Sequence, residues 1–395
     1  MKFYWQTKKL GEINGKFEKE KVAKGTTPYV EISNVDVISK KITFTNKGAV
    51  ENSVFAPADS ILISRVRPTR GAVAFVKEKI AVSSAFTIIK PKPEYNPRLI
   101  FYFLAWNKKF FDYLGSKQKG TNYPSVKEGD ILDFEICIPT EISIQHKIVS
   151  ILDTIQKAVE IQDRIIEKTK ELKKSLMADL FKYGGPSFRK GRKLKKTEIG
   201  EIPEDWEVVR LGEENISEII MGQSPSSQYY NEKGMGLPFL QGKAEFGDIT
   251  PLPTKWCTRP IRISKEGDIL ISVRAPVGDV NFADQVFCIG RGLAAIRCKN
   301  NLNKIFLFNY LKFAKKRLIE EASGSTFKAI RKSNIENFKI PLPSLPEQQE
   351  IADILSTIDQ KIEIEEKKKR LYEELFKTVL NKIMNQEIDV EDIEI

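Results

Sequence analysis

The amino-acid sequence carries the same pattern twice, about 200 residues apart. A tryptophan followed five residues later by Leu-Gly-Glu occurs at residues 5–12 and again at 206–213, and the tetrapeptide Ile-Leu-Ile-Ser occurs at 61–64 and 269–272. A third shared pattern, a glutamine followed by regularly spaced isoleucines, begins at Gln145 and at Gln348. The matches fall in the same order at nearly constant spacing. A repeat of this kind predicts two similar folding units in one chain.

The length and the charge agree with a modular protein that has a polyanionic partner. A chain of 395 residues is long enough for two or three domains. With 23 glycines and 19 prolines it lacks the composition of a disordered or collagenous protein. Its 64 basic residues against 53 acidic ones give a net charge of +11, which favours a partner such as nucleic acid.

The sequence predicts a reduced, cytoplasmic protein without a metal site. It has no apolar run of signal-peptide type at its start and no apolar stretch of transmembrane length. Its four cysteines contain no Cys-x-x-Cys pair, and one histidine, His146, cannot complete a zinc site with them. We therefore expect no membrane partner and no metal.

Two long helices are predicted, one in each copy of the repeat. From Ile148 and from Ile351, apolar residues recur at alternating steps of four and three residues, which is the pattern of a coiled-coil seam. Each pattern continues for about 40 residues, or about 60 Å of helix. The residues expected to pair the helices are Ile148, Leu152, Ile155, Val159, Leu176, Ile351, Leu355, Ile358, Ile362, Phe376 and Val379.

Two ways of burying these seams stay open. Each seam could pack on its own globular half, or the two helices could pair with each other. Pairing is favoured because the two seams have equal length. If the second globular half lies at the far end of the first helix, the second helix runs back antiparallel to the first.

The remaining sequence of each copy predicts a mixed domain. Short β-branched runs at 61–64, 72–76, 269–273 and 294–297 are typical of strands, and the segments 97–114 and 303–322 predict one helix in each domain. The predicted fold class is α+β: two mixed α/β globular domains, separated by two long helices that form an antiparallel coiled coil, with an internal pseudo-twofold repeat.

The segments around the second copy of the repeat resemble the specificity subunit of type I restriction-modification enzymes. The resemblance rests on Ile-Gly-Glu-Ile-Pro-Glu-Asp-Trp at 199–206, on Leu-Gly-Glu at 211–213, and on Ile-Pro-Leu-Pro-Ser-Leu-Pro-Glu-Gln at 340–348 followed by Ile351. It covers nearly the whole chain. The first copy departs from it, since no Ile-Pro precedes Trp5 and Ser-Ile-Gln at 143–145 replaces Pro-Glu-Gln.

This resemblance implies a DNA-reading subunit that is not itself an enzyme. Each globular domain would read one half of a bipartite site in double-stranded DNA, and the helices would set the gap between the halves. Two modification (methyltransferase) subunits would dock on the repeats, with restriction subunits joining through them. S-adenosylmethionine would bind the modification subunit, so no cofactor is expected in this chain.

The resemblance also implies a division of the chain into six parts. They are target-recognition domain 1 at 1–139, helical region 1 at 140–183, a basic linker at 184–198, target-recognition domain 2 at 199–343, helical region 2 at 344–386, and an acidic tail at 387–395.

The motifs that are missing argue against catalysis by this chain. A base methyltransferase needs an Asn/Asp-Pro-Pro-Tyr/Phe motif, and neither Asn-Pro-Pro nor Asp-Pro-Pro occurs. A P-loop is missing as well. The alternative function is a basic protein-interaction scaffold that binds DNA without sequence specificity or not at all.

The candidate DNA contacts follow from side-chain chemistry. Arginine matches guanine, asparagine and glutamine match adenine, and lysine neutralises phosphate. Two segments stand out in the first domain, an arginine-rich turn and a basic glycine-containing loop: Arg65, Arg67 and Arg70, and Lys117, Lys119, Asn122 and Tyr123. The candidates in the second domain are Gln223, Ser224, Lys243 with its neighbour Gln241, Arg274, Lys328, Arg331 and Lys332. Six positive charges at 188–196 could follow phosphates or could simply be solvated.

Overall fold

The structure is a computed structural model, and it describes residues 4–322, 329–388 and 390. The chain forms two compact units. Unit 1 comprises Met1–Asp163 and Lys367–Ile395, and unit 2 comprises Arg164–Glu366. Each of the two long helices therefore contributes one part to unit 1 and the other part to unit 2.

Unit 1 is a mixed α/β domain that carries the first part of one long helix and the last part of the other. Its strands are β1 (Trp5–Lys9), β2 (Tyr29–Val30), β3 (Val54–Ala56), β4 (Ser60–Ser64), β5 (Val73–Val76), β6 (Ile80–Val82), β7 (Phe86–Ile89) and β8 (Glu135–Pro139). Its helices are α1 (Leu10–Ile13), α2 (Pro97–Ala105), α3 (Lys108–Lys117) and α4 (Glu128–Leu132), followed by the long helix α5 (Ile142–Tyr183).

Unit 2 repeats this order with additional strands. Its strands are β9 (Leu194–Thr197), β10 (Gly200–Pro203), β11 (Glu207–Arg210), β12 (Ser217–Met221), β13 (Tyr230–Asn231), β14 (Leu237–Leu240), β15 (Lys255–Cys257), β16 (Ile269–Ser272), β17 (Val280–Phe282), β18 (Cys288–Ile289), β19 (Leu293–Cys298) and β20 (Lys339–Leu342). Its helices are α6 (Lys304–Phe313), α7 (Lys315–Ala322) and α8 (Lys332–Asn337), followed by the long helix α9 (Leu345–Met384).

The two units share part of their sheet topology. In unit 1 the antiparallel sheet has the order β5–β4–β7, and in unit 2 the corresponding strands have the order β17–β16–β19, with β12 added at one edge. A second sheet in each unit contains one parallel pair, β2 with β6 in unit 1 and β14 with β18 in unit 2. The strand before each long helix, β8 or β20, pairs antiparallel with a strand near the repeated tryptophan. Its partner is β1, which begins at Trp5, in unit 1 and β11, which directly follows Trp206, in unit 2. The sequence repeat is therefore a structural repeat.

The repeated glutamine ties three elements together in each unit. The side chain of Gln145 is fully buried; its Oε1 accepts from the backbone N–H of Asn96 at 2.7 Å, and its Nε2 donates to the carbonyl of Pro139 at 2.9 Å. Gln348 makes the same bonds in unit 2, where the backbone N–H of Asn303 donates to its Oε1 at 2.7 Å. Both asparagines cap the helix that follows them. One side chain thus fixes the strand end, the capped helix and the start of the long helix.

The sequence prediction of one helix in each of the segments 97–114 and 303–322 is wrong, because both segments contain two helices. In unit 1 the break follows Trp106, and Asn107 caps α3 by accepting from the backbone N–H of Phe110 at 3.3 Å. In unit 2 the helix is interrupted at Ala314. The apolar spacing continues across both breaks, so periodicity alone could not separate the helices.

The parts of the long helices that share a unit run antiparallel. In unit 2, Lys170 on α5 contacts Glu366 on α9 at 2.6 Å, while Lys173, one turn later, contacts Asp359 at 2.6 Å. In unit 1, Lys369 contacts Asp163 at 2.6 Å. Lys173 and Lys369 interrupt the apolar seams in the sequence. Their ion pairs across the two helices fix the register of the pairing.

The seam residues are covered in two ways. Ile148, Leu152 and Phe376 belong to the core of unit 1, and Ile351 and Leu355 belong to the core of unit 2. The other seam residues are buried or half-buried: Ile155, Val159, Leu176, Ile358, Ile362 and Val379. Packing on the globular part and pairing of the helices therefore occur together. The segment 184–198, predicted as a linker, contains a 3-10 turn at Pro186–Phe188 and the strand β9, which pairs with β10.

Candidate nucleic-acid interface

In unit 1, backbone hydrogen bonds bring the two candidate DNA-binding segments side by side. The N–H of Arg65 donates to the carbonyl of Ala85 at 2.9 Å, and the N–H of Val126 donates to the carbonyl of Arg65 at 3.0 Å. The N–H of Arg67 donates to the carbonyl of Pro124 at 2.7 Å. The turn after β4 and the loop at 117–125, about 50 residues apart in sequence, thus form one surface.

The arginine side chains on this surface differ in their exposure and in the contacts that they make within the protein. Arg67 has a φ of 47°, and its guanidinium lies 5.1 Å from the ring centroid of Tyr123, which is 73% exposed. Arg70 is exposed in the 3-10 turn Pro68–Arg70, which packs on α3. Arg65, in contrast, donates from Nη2 to the carbonyl of Ser84. This bond ties Arg65 to the β6–β7 turn, while Nη2 of Arg67 donates to the carbonyl of Asn122 at 3.5 Å within the candidate surface.

The loop at 117–125 presents its candidates to solvent. Lys117, Lys119 and Asn122 are exposed, and the ammonium of Lys117 lies 5.5 Å from the ring centroid of Tyr113. Two backbone hydrogen bonds between Lys119 and Ser125, at 2.8 and 2.9 Å, close the loop. A closed basic loop with an exposed aromatic ring can both neutralise phosphate and contact bases.

Unit 2 has the same backbone frame in the corresponding places. The N–H of Val273 donates to the carbonyl of Gly292 at 2.9 Å, and the N–H of Ile330 donates to the carbonyl of Val273 at 2.9 Å. Arg274 and Arg331 are therefore close in the fold, and both are exposed. Exposed Lys332 follows, with an ion pair to Glu336 at 3.2 Å. The candidate Lys328 lies outside the described residues.

The other candidates of unit 2 divide into two groups. Gln223 donates from its backbone N–H to the carbonyl of Ile289 at 3.0 Å, which places it and Ser224 beside the β18–β19 turn. Lys243 contacts Asp279 at 2.6 Å, and Lys315 contacts the same carboxylate. Burial raises the pKa of Asp279, but the two lysines outweigh it and hold the pKa below its usual value. Lys243 is thus engaged within the protein, whereas Gln223 faces solvent.

Sequence reasoning did not select Arg291 as a candidate, and the structure places it exposed in the β18–β19 turn beside Gln223 and Ser224. Its backbone N–H donates to the Oγ of Ser224 at 3.1 Å. The available signal was its position between two glycines, Gly290 and Gly292, directly after a short apolar run. That signal is weak without the fold, because the loops that meet at this turn are distant in sequence.

Part of the basic segment at 188–196 is engaged in ion pairs. Arg189 contacts Asp179 at 2.5 Å, and Arg192 contacts Asp205 at 2.6 Å and also the buried carboxylate of Glu347. The lysines at 190, 193 and 196 are exposed. The segment therefore offers lysines to solvent and uses its arginines to hold its own fold.

Neither a metal site nor a membrane-spanning helix is found within the described ranges. No group of three or more His, Cys, Asp or Glu side chains there is arranged to hold a metal ion. No helix there is long and apolar enough to cross a membrane.

Comparison with known proteins decides between the candidate functions. The family model described as the type I restriction modification DNA specificity domain matches this chain twice, at residues 4–171 and 203–373. The chain belongs to this family. The two matches coincide with the two copies of the repeat, so both halves of this specificity subunit are specificity domains.

Whole-length relatives agree with this assignment. The specificity subunit is 36% identical to the putative type I restriction enzyme MjaX specificity subunit of Methanocaldococcus jannaschii, over 98% of this chain and 94% of the relative. It is also similar to a chain in a solved structure concerned with complex assembly and conformational transition of a type I restriction-modification system, with 30% identity, a TM-score of 0.66, and coverage of 97% of this chain and 99% of the other. The type I S subunit of M. genitalium, with 17% identity and a TM-score of 0.61 over 96% of both chains, shares the fold.

The chain is thus a specificity subunit of a type I restriction-modification system. It recognises DNA for partner subunits that include a methyltransferase, and it is not itself catalytic, since the catalytic activity of these systems resides in the partner subunits. The alternative of a scaffold without sequence-specific DNA binding is not supported.

Proposed function

We propose that each unit reads one half of a bipartite site in double-stranded DNA through the surface formed by its strand-end loops. The observation that carries this proposal is the repeated backbone frame. Arg65, Ala85 and Val126 in unit 1 correspond to Val273, Gly292 and Ile330 in unit 2. The frame is the same and the side chains differ, so the two units would read different sequences and the site would be asymmetric.

Within each surface, phosphate and base contacts would come from different residues. Exposed lysines such as Lys117 and Lys119 suit phosphates, where they set affinity and its salt dependence. Arginines and amides such as Arg67, Asn122 and Gln223 suit base edges, where they set specificity. Arg70, Arg274, Arg331 and Lys332 complete the two surfaces.

The long helices would set the distance between the half-sites. Helix α5 is continuous over 42 residues and belongs to unit 1 at its start and unit 2 at its end. A continuous helix of this length spans about 60 Å, close to two turns of B-DNA at about 34 Å each. The register of α5 and α9 is held by ion pairs, so the helices are suited to act as a ruler.

We assign the docking of two modification subunits to the helices and repeats. In unit 1 the helices expose Ile161, Leu371 and Leu375, and in unit 2 they expose Ile165, Leu172 and Ile364. Exposed apolar side chains on a charged helix are typical of a protein interface. Two copies of the repeat provide one docking surface each. Restriction subunits would join through the modification subunits in the cytoplasm, and S-adenosylmethionine would bind the modification subunit and not this chain.

The test is reconstitution with the modification subunit. We expect the complex to methylate one bipartite motif in genomic DNA with S-adenosylmethionine, and its DNA affinity to fall steeply with salt. The specificity subunit alone should transfer no methyl group. Robust methylation by the isolated chain, or equal affinity of the complex for all sequences, would contradict the proposal.

A further inference from the structure

Three loops of unit 2, distant in sequence, meet at one end of the domain. They are the segment 222–224 after β12, the segment 241–242 after β14, and the turn 290–292 between β18 and β19. The N–H of Gly222 donates to the carbonyl of Leu293 at 2.9 Å, and the N–H of Gly292 donates to the carbonyl of Gln241 at 3.2 Å. The N–H of Gly290 donates to the carbonyl of Leu240 at 2.7 Å. These bonds fix the loops against each other.

Glycine makes this close approach possible. A Cβ atom on Gly222 would lie 2.1 Å from the carbonyl oxygen of Gly290, and one on Gly292 would lie 2.3 Å from the carbonyl oxygen of Gln241. Both distances are far below van der Waals contact, and both involve backbone atoms. Side chains are thus excluded from the inside of the junction, and the neighbouring residues carry the side chains that face outward.

Those neighbours are Gln223, Gln241 and Arg291, and all three are exposed. Among the described residues, no hydrogen bond or ion pair is made by the side-chain ends of these three. The backbone N–H of Arg291 is held by the Oγ of Ser224, so the base of the arginine is fixed, and its guanidinium acts on the nearby Tyr230 hydroxyl through its charge alone. Lys243, two residues after Gln241, differs because Asp279 engages it.

The composition of this cluster distinguishes base reading from phosphate binding. A guanidinium can donate two parallel hydrogen bonds to O6 and N7 of guanine, and a glutamine amide can both donate to and accept from adenine. Glutamine carries no charge, so two glutamines beside one arginine would neutralise little phosphate. The cations better placed for phosphate are Arg274, Arg331 and Lys332, which lie next to the cluster along the same hydrogen-bonded frame.

We infer that Gln223, Gln241 and Arg291 are specificity-determining residues that read base edges of the half-site recognised by unit 2. Arg291 would contact guanine, and the two glutamines would contact adenine. This inference rests on the proposed function, because it assigns the reading of one half-site to particular side chains of unit 2.

Unit 1 shares one hydrogen bond of this junction and has different side chains beside it. There the N–H of Ser83 donates to the carbonyl of Val30 at 2.9 Å, as Gly290 does to Leu240 in unit 2. This correspondence places Ser84 at the position of Arg291, and Glu31 at the position of Gln241. Glu31 is engaged by Lys47 at 2.6 Å. A guanine contact from this position of the junction should therefore belong to the unit 2 half-site only.

The experiment compares variants of the complete complex on a library with randomised half-sites. Arg291→Lys keeps the charge and removes the planar fork, and Arg291→Ala removes both. Gln241→Ala tests one amide, and Arg210→Ala is the matched control, because Arg210 is an exposed arginine of unit 2 on β11, away from the junction. The half-site of unit 2 is the one that stays unchanged when residues 1–135 are exchanged. Thermal melting verifies that each variant is folded.

We expect Arg291→Lys and Arg291→Ala to reduce the preference for guanine at one position of the unit 2 half-site by about 5- to 100-fold. Gln241→Ala should relax the preference for adenine at a neighbouring position, and the other half-site and the affinity for non-specific DNA should stay unchanged. If Arg291→Ala lowers the affinity for all sequences equally and Arg291→Lys restores it, Arg291 is a phosphate contact and the inference is wrong. If the unaltered complex selects no bipartite motif at all, the proposed function itself fails.

Discussion

Glu347 on the first turn of α9 offers a sharp test of how unit 2 is held together. Its side chain is 1% exposed, and its carboxylate accepts hydrogen bonds from Trp206 Nε1 at 2.9 Å and from the backbone N–H of Gly185 at 3.0 Å. It also forms a two-pronged ion pair with Arg192, whose Nη2 lies 2.7 Å from Oε2. The hydrogen bond to Glu347 raises the pKa of the Arg192 guanidinium. One carboxylate thus joins the long helix to the repeated tryptophan and to the segment after α5.

Replacement of Glu347 by alanine should destabilise unit 2 strongly. Removing one partner of a buried ion pair costs about 3–5 kcal/mol, because the other charge loses its buried counter-ion; Arg192 would keep only its ion pair with the exposed Asp205. The indole N–H of Trp206 loses its acceptor as well. For a unit of roughly 200 residues, each kcal/mol lowers the melting temperature by about 2–4 °C. We therefore expect the melting transition of unit 2 to fall by about 6–20 °C. Glu347→Gln keeps a hydrogen-bond acceptor without the charge, so its melting temperature should lie between those of the unaltered chain and the alanine variant.

Differential scanning calorimetry of the full chain measures this effect. Glu363→Ala is the control, because Glu363 is an exposed glutamate on the same helix. The control should shift no transition by more than about 1 °C, in line with the small effect of most surface substitutions. A Glu347→Ala variant that melts like the unaltered chain would refute the claim that this carboxylate holds the three segments together.

Three further predictions concern the loop junction, a buried lysine and the helices. Gly222→Ala should lower the free energy of unfolding of unit 2, because the new Cβ would lie 2.1 Å from the carbonyl oxygen of Gly290. The same substitution should abolish the sequence preference at the unit 2 half-site. Calorimetry measures the first effect and site selection the second. Burial lowers the pKa of Lys40 from 10.5 to about 8. Since the unfolded chain keeps the proton between these values, unit 1 should become more stable as the pH rises from about 8 to 10.5, and urea titrations of Lys40→Met should show no such rise. Inserting seven residues after Lys170 in α5 and another seven after Glu363 in α9 would lengthen both helices by about 10 Å. The ion pairs Lys170–Glu366 and Lys173–Asp359, which lie on opposite sides of the insertions, would be preserved. The gap between half-sites should grow by about three base pairs, and an unchanged gap with full affinity would show that the helices do not set it.

The sequence was sufficient to predict the repeated architecture, because the signals for it are local or periodic. The seam from Ile148 predicts a helix, and α5 runs over Ile142–Tyr183. The repeat itself predicts two similar units, and the order β5–β4–β7 of unit 1 recurs as β17–β16–β19 in unit 2. The helix break at Trp106 and Asn107 could not be predicted in this way. The apolar spacing continues through them, and the helix break depends on an asparagine cap that competes with helix continuation.

The interface was less predictable, because it depends on contacts between distant segments. Arg65 could not be told apart from Arg70 in sequence, yet its guanidinium donates to the carbonyl of Ser84, whereas Arg70 is exposed. Lys243 is engaged by Asp279, 36 residues later. Arg291 lies beside Gln223 and Gln241 only because three loops, distant in sequence, approach each other closely at glycines. Which charges are free to meet DNA is therefore a property of the fold, and residue type alone does not give it.

The central claim is that the two units read separate half-sites. It is tested most directly by exchanging residues 1–135 for the corresponding segment of another specificity subunit and sequencing the methylated motif produced by the reconstituted complex. Base contacts at separated positions contribute almost independently. We expect one half-site to change while the other half-site and the gap stay the same. A motif in which both half-sites change together, or in which neither does, would contradict it.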